Sequence, residues 1–150
     1  MPRRSRPGAE SPNPNEQLKD HMSEPLVLVI DDEPDMIDYI RAACTRHGKR
    51  VIGAPNGREG LTLARSAQPD VILVDLLLPG MNGLEICRQL CADPATARIP
   101  KVVLSASISI EDQLAATAAG ADRYMLKPIG VKSLIQLVDD LVARSQLPPS

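Results

Sequence analysis

Asp31 and Asp32 directly follow the apolar run Leu26 to Ile30, Asp75 follows Val71 to Val74, Ser105 follows Lys101 to Leu104, and Lys127 follows Arg123 to Leu126. Carboxylates, a hydroxyl and an ammonium at the same point of four apolar runs are placed to converge. Carboxylates held together repel one another and gain proton affinity unless a cation neutralises them, so a hard divalent metal is their natural partner. Mg2+, or Mn2+ in its place, favours oxygen ligands. Mg2+ also keeps several waters, so a pair of carboxylates and a backbone carbonyl leave positions open for a phosphoryl oxygen. A carboxylate is itself a nucleophile toward phosphorus and needs no general base. With metal on one side and ammonium on the other, what remains is positioning and charge neutralisation. His47, on a predicted helix remote from these positions, is not required for such chemistry.

Convergence requires elements that bring the run ends together. The short apolar runs Leu26 to Ile30, Val51 to Ala54, Val71 to Val74, Lys101 to Leu104 and Arg123 to Leu126 read as buried strands. Between and after them, helical spacing covers Pro34 to His47, Arg58 to Ala67, Gly83 to Ala92, Glu111 to Ala119 and Val131 to Arg144. Alternation of this kind predicts an α/β fold with a parallel sheet covered on both faces. In such sheets ligands collect beyond the carboxyl ends of the strands, where the polar residues stand. Gly48 and Gly120 are suited to end the first and fourth helices in the left-handed conformation, and Asn56 to cap the second. In the last helix Val131, Leu134, Ile135, Val138, Leu141 and Val142 define a buried stripe, with Leu137 at its edge.

A chain of 150 residues has room for one core, and its 43% apolar and 24% charged content is ordinary for a globular protein. The core must be aliphatic, because Phe and Trp are absent and Tyr39 and Tyr124 are the only aromatic residues. A net charge of -2 implies neither nucleic acid nor an anionic membrane as partner. No stretch is long and apolar enough to span a bilayer, and no apolar segment follows Arg3 and Arg4 as an export signal requires. Cys44, Cys87 and Cys91 are an odd set that suits a reducing, cytoplasmic interior. Residues 1 to 24, rich in Pro, Ser, Asn and charge, read as a disordered leader. His21 and Met22 mark either an internal start or part of a native extension, and Arg3, Arg4 and Arg6 read as solvated charges. The domain is expected over residues 25 to 145, and residues 146 to 150, with Pro148 and Pro149, form a flexible tail with no linker to an output domain.

The segments Val29-Ile30-Asp31-Asp32-Glu33, Val74 to Gly83 (Val-Asp-Leu-Leu-Leu-Pro-Gly-Met-Asn-Gly), Val102 to Ala106 (Val-Val-Leu-Ser-Ala) and Tyr124 to Pro128 (Tyr-Met-Leu-Lys-Pro) resemble the motifs of bacterial response regulator receiver domains. The resemblance runs from about Leu26 to Arg144. It implies a flavodoxin-like, doubly wound (βα)5 three-layer sandwich whose five parallel strands lie in the order 2-1-3-4-5. It implies a phosphorylation switch in a two-component system that catalyses only its own phosphoryl transfer and dephosphorylation. Carried over residue by residue, Asp75 becomes the phosphoacceptor, Asp32, Asp75 and the Leu77 carbonyl the metal ligands, and Asp31 a ligand acting through water. Lys127 would bind a phosphoryl oxygen and pair with the acceptor. Ser105 would close over the phosphoryl group and Tyr124 turn inward behind it. The Lys127-Pro128 bond is expected to be cis. Ser105 stands where Thr is commoner, and Leu76 and Leu77 give the acceptor an apolar flank. By the same resemblance, Leu77 would lie beside the path of an attacking water and so bear on phosphoryl lifetime.

A sensor histidine kinase or phosphotransfer protein is the implied donor and a downstream protein the implied target, with the chain a monomer or weak homodimer. Leu137, Asp139, Asp140 and Arg144 permit a symmetric dimer through the last helix. Asp31 and Asp32 alone would be ordinary helix-start residues; Asp75, Ser105 and Lys127 at matching run ends decide for a site. Cys87 and Cys91, four apart, offer too few ligands for zinc and read as buried small side chains. His47 near a helix end has a structural reading. A phosphorylation-independent docking domain is the second reading. An aspartyl-nucleophile phosphatase would carry a second Asp where Leu77 stands, and a nucleotide site would have a glycine-rich cradle in place of Asp31-Asp32-Glu33-Pro34.

Overall fold

A computed structural model describes residues 24 to 145. The expected leader, apart from Glu24, and the expected tail lie outside the described residues, as do His21, Met22, Arg3, Arg4, Arg6, Pro148 and Pro149. Strands β1 (Leu26–Ile30), β2 (Arg50–Ala54), β3 (Val71–Asp75), β4 (Lys101–Ser105) and β5 (Arg123–Leu126) alternate with helices α1 (Pro34–Thr45), α2 (Gly57–Ala67), α3 (Gly83–Ala92), α4 (Ile110–Ala118) and α5 (Val131–Ser145). The strands are parallel throughout and lie in the order β2-β1-β3-β4-β5. This is the flavodoxin-like doubly wound sheet. Strand order reverses between β1 and β3, and the five polar residues emerge on both sides of that point.

The three central strands are buried along their whole length, whereas β2 and β5 at the edges are mostly half-buried or exposed. That is why β1, β3 and β4 read as continuous apolar runs. Alternate residues feed opposite faces. Leu28, Ile30, Ile72, Val74 and Val103 pack with Leu61 and Ala64 of α2, Ile86, Cys87 and Leu90 of α3, and Ala116 of α4. Val27, Val29, Val71, Leu73, Val102 and Leu104 pack with Ile40, Ala43 and Cys44 of α1 and with Leu134, Val138 and Leu141 of α5. Both layers lack Phe and Trp, as the composition requires.

Helix starts follow their caps. The Asn56 side chain accepts from Glu59 N–H at 2.9 Å and donates to the Glu59 carboxylate at 2.8 Å, a reciprocal cap for α2. Asn82 accepts from Glu85 N–H to begin α3, and Ser109 from Asp112 N–H to begin α4. α1 has no side-chain cap and begins with Pro34 in its first turn. It also ends two residues earlier than its periodicity predicts. The amides of His47 and Lys49 both donate to the Cys44 carbonyl, and Gly48, at φ +75°, turns the chain. His47 Nδ1 lies 2.9 Å from the Ala43 carbonyl, which fits its structural reading. In α5 the predicted stripe is buried except for Val131, which is 38% exposed at the helix's first turn. Cys91 departs from the expected burial: it lies exposed on the outer flank of α3 while Cys87 is enclosed.

Candidate functional site

The backbone ladder itself carries the polar residues to one rim. Asp31 N–H donates to the Ala54 carbonyl, Leu76 N–H to Leu104, and Lys127 N–H to Ser105, each at 2.9 to 3.0 Å. Sheet pairing thus continues one residue past β1, β3 and β5, fixing Asp31, Asp75 and Lys127 against neighbouring strands. Asp31, Asp32 and Asp75 each bring a carboxylate oxygen within 4.8 Å of the others. Lys127 Nζ lies 3.3 Å from Asp75 Oδ1 and 3.5 Å from Asp31 Oδ2. These are long charge contacts rather than tight hydrogen bonds. Asp32, Glu33, Asp75, Leu77, Ser105, Ala106 and Lys127 line a cleft of about 260 Å3.

Burial divides the carboxylates. Asp31 is wholly enclosed, and its Oδ1 accepts from Glu33 N–H at 2.9 Å, which holds the turn into α1. Asp32 is exposed, and Asp75 is 7% exposed at the bottom of the cleft. Burial raises the Asp75 pKa above the usual carboxylate value and the Asp31 charge adds to it, outweighing the opposing pull of Lys127 and of Leu77 N–H. Lys127 shows the converse: burial lowers its proton affinity, but Asp75 and Asp31 together raise it above the ordinary ammonium value. The site therefore holds more negative charge than one lysine relieves. Three converging oxygen donors with residual charge suit a hard divalent cation, so the residues present fit the metal that the sequence implies.

Close packing sets the height of Asp75. At Gly83, the first residue of α3, a Cβ would fall 2.5 Å from the Asp75 carbonyl oxygen and 3.0 Å from Leu76 Cα. Only glycine allows this helix to lie directly against the end of β3. Gly83 N–H also donates to the Leu76 carbonyl at 2.9 Å. Leu76 itself is buried in the core, so of the predicted apolar flank only Leu77 faces solvent, 78% exposed at the cleft.

Two loops border the cleft, and a tyrosine holds each. The Tyr124 hydroxyl donates to the Ser107 carbonyl at 2.9 Å, and the Tyr39 hydroxyl to the Ile129 carbonyl at 2.6 Å. Lys127-Pro128 is a cis peptide, as expected. Ser105 is buried at the end of β4, and its Oγ accepts from Ser107 N–H at 3.0 Å. All seven residues singled out from the sequence therefore lie in or beside one cleft: Asp31, Asp32, Asp75, Leu77, Ser105, Tyr124 and Lys127.

Residues the sequence reading passed over are Gly83, Tyr39 and Ser107. Tyr39 sits on a helix face with no periodicity that distinguishes it. Ser107 belongs to an alternation, Ser105, Ser107 and Ser109, that could have been read as local turn chemistry. The cysteines take no part. Burial pushes the Cys87 thiol up to about 12, which leaves it inert at neutral pH. Asp139, named above for a dimer face, pairs with the buried Lys49 ammonium at 2.8 Å while its own side chain stays exposed.

Comparison with known proteins bears on the family and the fold. The family described as response regulator receiver domain matches residues 27–139. The protein PilH of Pseudomonas aeruginosa is 33% identical over 117 residues, covering 78% of this chain and 97% of PilH. The DNA-binding regulators RpaA of Synechocystis and MtrA of Mycolicibacterium smegmatis are 36% and 34% identical over 83% of this chain, which spans about half the length of each. Among solved structures, the chemotaxis response regulator CheY4 of Vibrio cholerae superimposes with a TM-score of 0.75 at 26% identity, covering 79% of this chain and 99% of that one. The receiver domain of a sensor histidine kinase from Pseudomonas aeruginosa, crystallised with a magnesium ion coordinated in its active-site cleft, gives a TM-score of 0.75 at 25% identity, over 81% of this chain and 99% of that one.

Proposed function

The chain belongs to the response regulator receiver domain family, and from that premise we propose that Asp75 is its phosphoacceptor and that the surrounding residues work as follows. The Asp75 carboxylate attacks the phosphorus of a phosphohistidine on a sensor kinase or phosphotransfer protein. An acyl phosphate forms on Asp75, the phosphorus to nitrogen bond breaks, and the imidazole departs. Lys127 stands against the carboxylate and neutralises a phosphoryl oxygen as charge develops. Asp32, Asp75 and the Leu77 carbonyl would hold Mg2+, with Asp31 acting through water. When bound, the ion supplies the positive charge that offsets the acidic cluster and the incoming phosphoryl group.

Ser105 then turns its hydroxyl to the phosphoryl group, and the Tyr124 side chain follows the loop that Ser107 carries. The added charge and acceptor oxygens bias the surface near α4 and α5, which a downstream protein reads. Ile108, Ile110 and Leu114, each more than 60% exposed, provide apolar contact area in that region. The observation that carries the reading is Lys127 within 3.5 Å of both Asp31 and Asp75 inside a cluster of three carboxylates.

Exposure to acetyl phosphate with Mg2+, followed by intact-mass measurement, tests it. One phosphoryl group should add to the native chain and none to Asp75→Asn. Equal labelling of the two proteins would refute the assignment. Partner binding that Asp75→Asn leaves unchanged would instead favour a docking domain.

A further inference from the structure

The segment between β4 and α4 carries serine at positions 105, 107 and 109, and their hydroxyls form a continuous run. Ser107 N–H donates to Ser105 Oγ at 3.0 Å, Ser109 N–H to Ser107 Oγ at 3.1 Å, and Asp112 N–H to Ser109 Oγ at 3.4 Å. The last of these is the N-cap of α4. Each link is a local hydroxyl-to-amide contact of the kind serine makes in turns and caps.

We propose that Ser107 is a positioning residue that ties the Ser105 hydroxyl to the N-cap of α4, so that a change at Asp75 is passed along the serine run to the first turn of that helix. The inference rests on the phosphoacceptor reading above. If Ser105 turns toward a phosphoryl group, the half-buried Ser107 amide loses its acceptor. A backbone donor in such a position must find another partner, so residues 106 to 109 have to move. Ser107 cannot shift alone. Its carbonyl receives the Tyr124 hydroxyl and its own hydroxyl receives Ser109 N–H, so the displacement is shared with the cap. α4 is prepared to respond, because Ala116 is its one buried residue and little packing opposes movement of its first turn.

Backbone amide resonances of the isotope-labelled chain, recorded with Mg2+ before and after beryllofluoride, test the link. Leu77, whose amide touches the Asp75 carboxylate, reports on the site, and Asp112 reports on the cap. Ser107→Thr and Ser107→Val have the same shape and differ by the hydroxyl. Thr should keep the Asp112 response, while Val and Ser107→Ala should cut it about fivefold with the Leu77 response intact. An Asp112 response in Val and Ala equal to that of Thr would overturn the serine link. Failure of Leu77 to respond in the unaltered chain is a different result and would overturn the phosphoacceptor reading beneath it.

Discussion

Asp75 is held in a place that disfavours its charge. Burial first and Asp31 second raise its pKa, so folded Asp75 binds its proton more tightly than the unfolded chain does. Its contribution to stability is therefore fully present below the ordinary value of 3.8 and is lost as pH rises through the raised folded value. At neutral pH and without metal, Asp75→Asn should melt higher than the native chain. A gain of ~1 kcal/mol corresponds to about 4 °C in a domain of this size. The difference should close in acid, when both side chains are neutral, and thermal melts across pH in chelator check it. A native chain as stable as Asp75→Asn at neutral pH would mean that Lys127 compensates the burial in full. These acidic and basic residues were legible in the sequence because each directly follows an apolar run. What could not be read was their burial, since complete enclosure of Asp31 and exposure of Asp32 depend on the turn that Glu33 N–H closes.

At the level of elements, periodicity identified every strand and helix, and the errors fell at ends decided by local bonds. α1 stops at Thr45 because two amides compete for the Cys44 carbonyl, which no hydrophobic pattern records. Val131 carries the helical period but lies in the first turn of α5, beyond the layer it was expected to join. Cys91 was misread for a related reason: spacing puts it near Cys87, yet its thiol sits beside the Gly120 carbonyl at the outer edge of the α3 and α4 contact. Close approaches of glycine were also hidden. At Gly60 a Cβ would meet the wholly buried Ile30 side chain at 2.5 and 2.8 Å, whereas at Gly83 it would meet the backbone of Asp75 and Leu76. The two should fail differently. Gly60→Ala should lose about 1–2 kcal/mol of stability, overpacking outweighing the better helix propensity of Ala. Its labelling rate with acetyl phosphate should hold. Gly83→Ala should label about tenfold or more slowly, because it displaces the end of β3 that presents Asp75. Denaturant melts and labelling kinetics on the two variants separate these outcomes.

Across the described residues, one rim of the sheet gathers three carboxylates around one lysine, and both faces of the sheet are covered by largely aliphatic packing. Among the described residues no helix is long and apolar enough to cross a membrane. A cation that binds only the folded rim should stabilise the whole domain, by ~2.7 kcal/mol at a hundredfold excess over its dissociation constant. The melting temperature should therefore climb with Mg2+ concentration, reverse with chelator, and respond weakly in Asp32→Ala. A flat titration would argue against a metal at this rim.

The pair of tyrosines has an optical consequence. With no tryptophan to dominate emission, ultraviolet fluorescence arises from Tyr39 and Tyr124 alone, and each phenol leans on a loop bordering the Asp75 cleft. The chain thus carries its own dye beside the proposed site. Emission should change when beryllofluoride and Mg2+ are added together, and Tyr124→Phe should remove most of the change, so occupancy can be followed in a cuvette without any attached label.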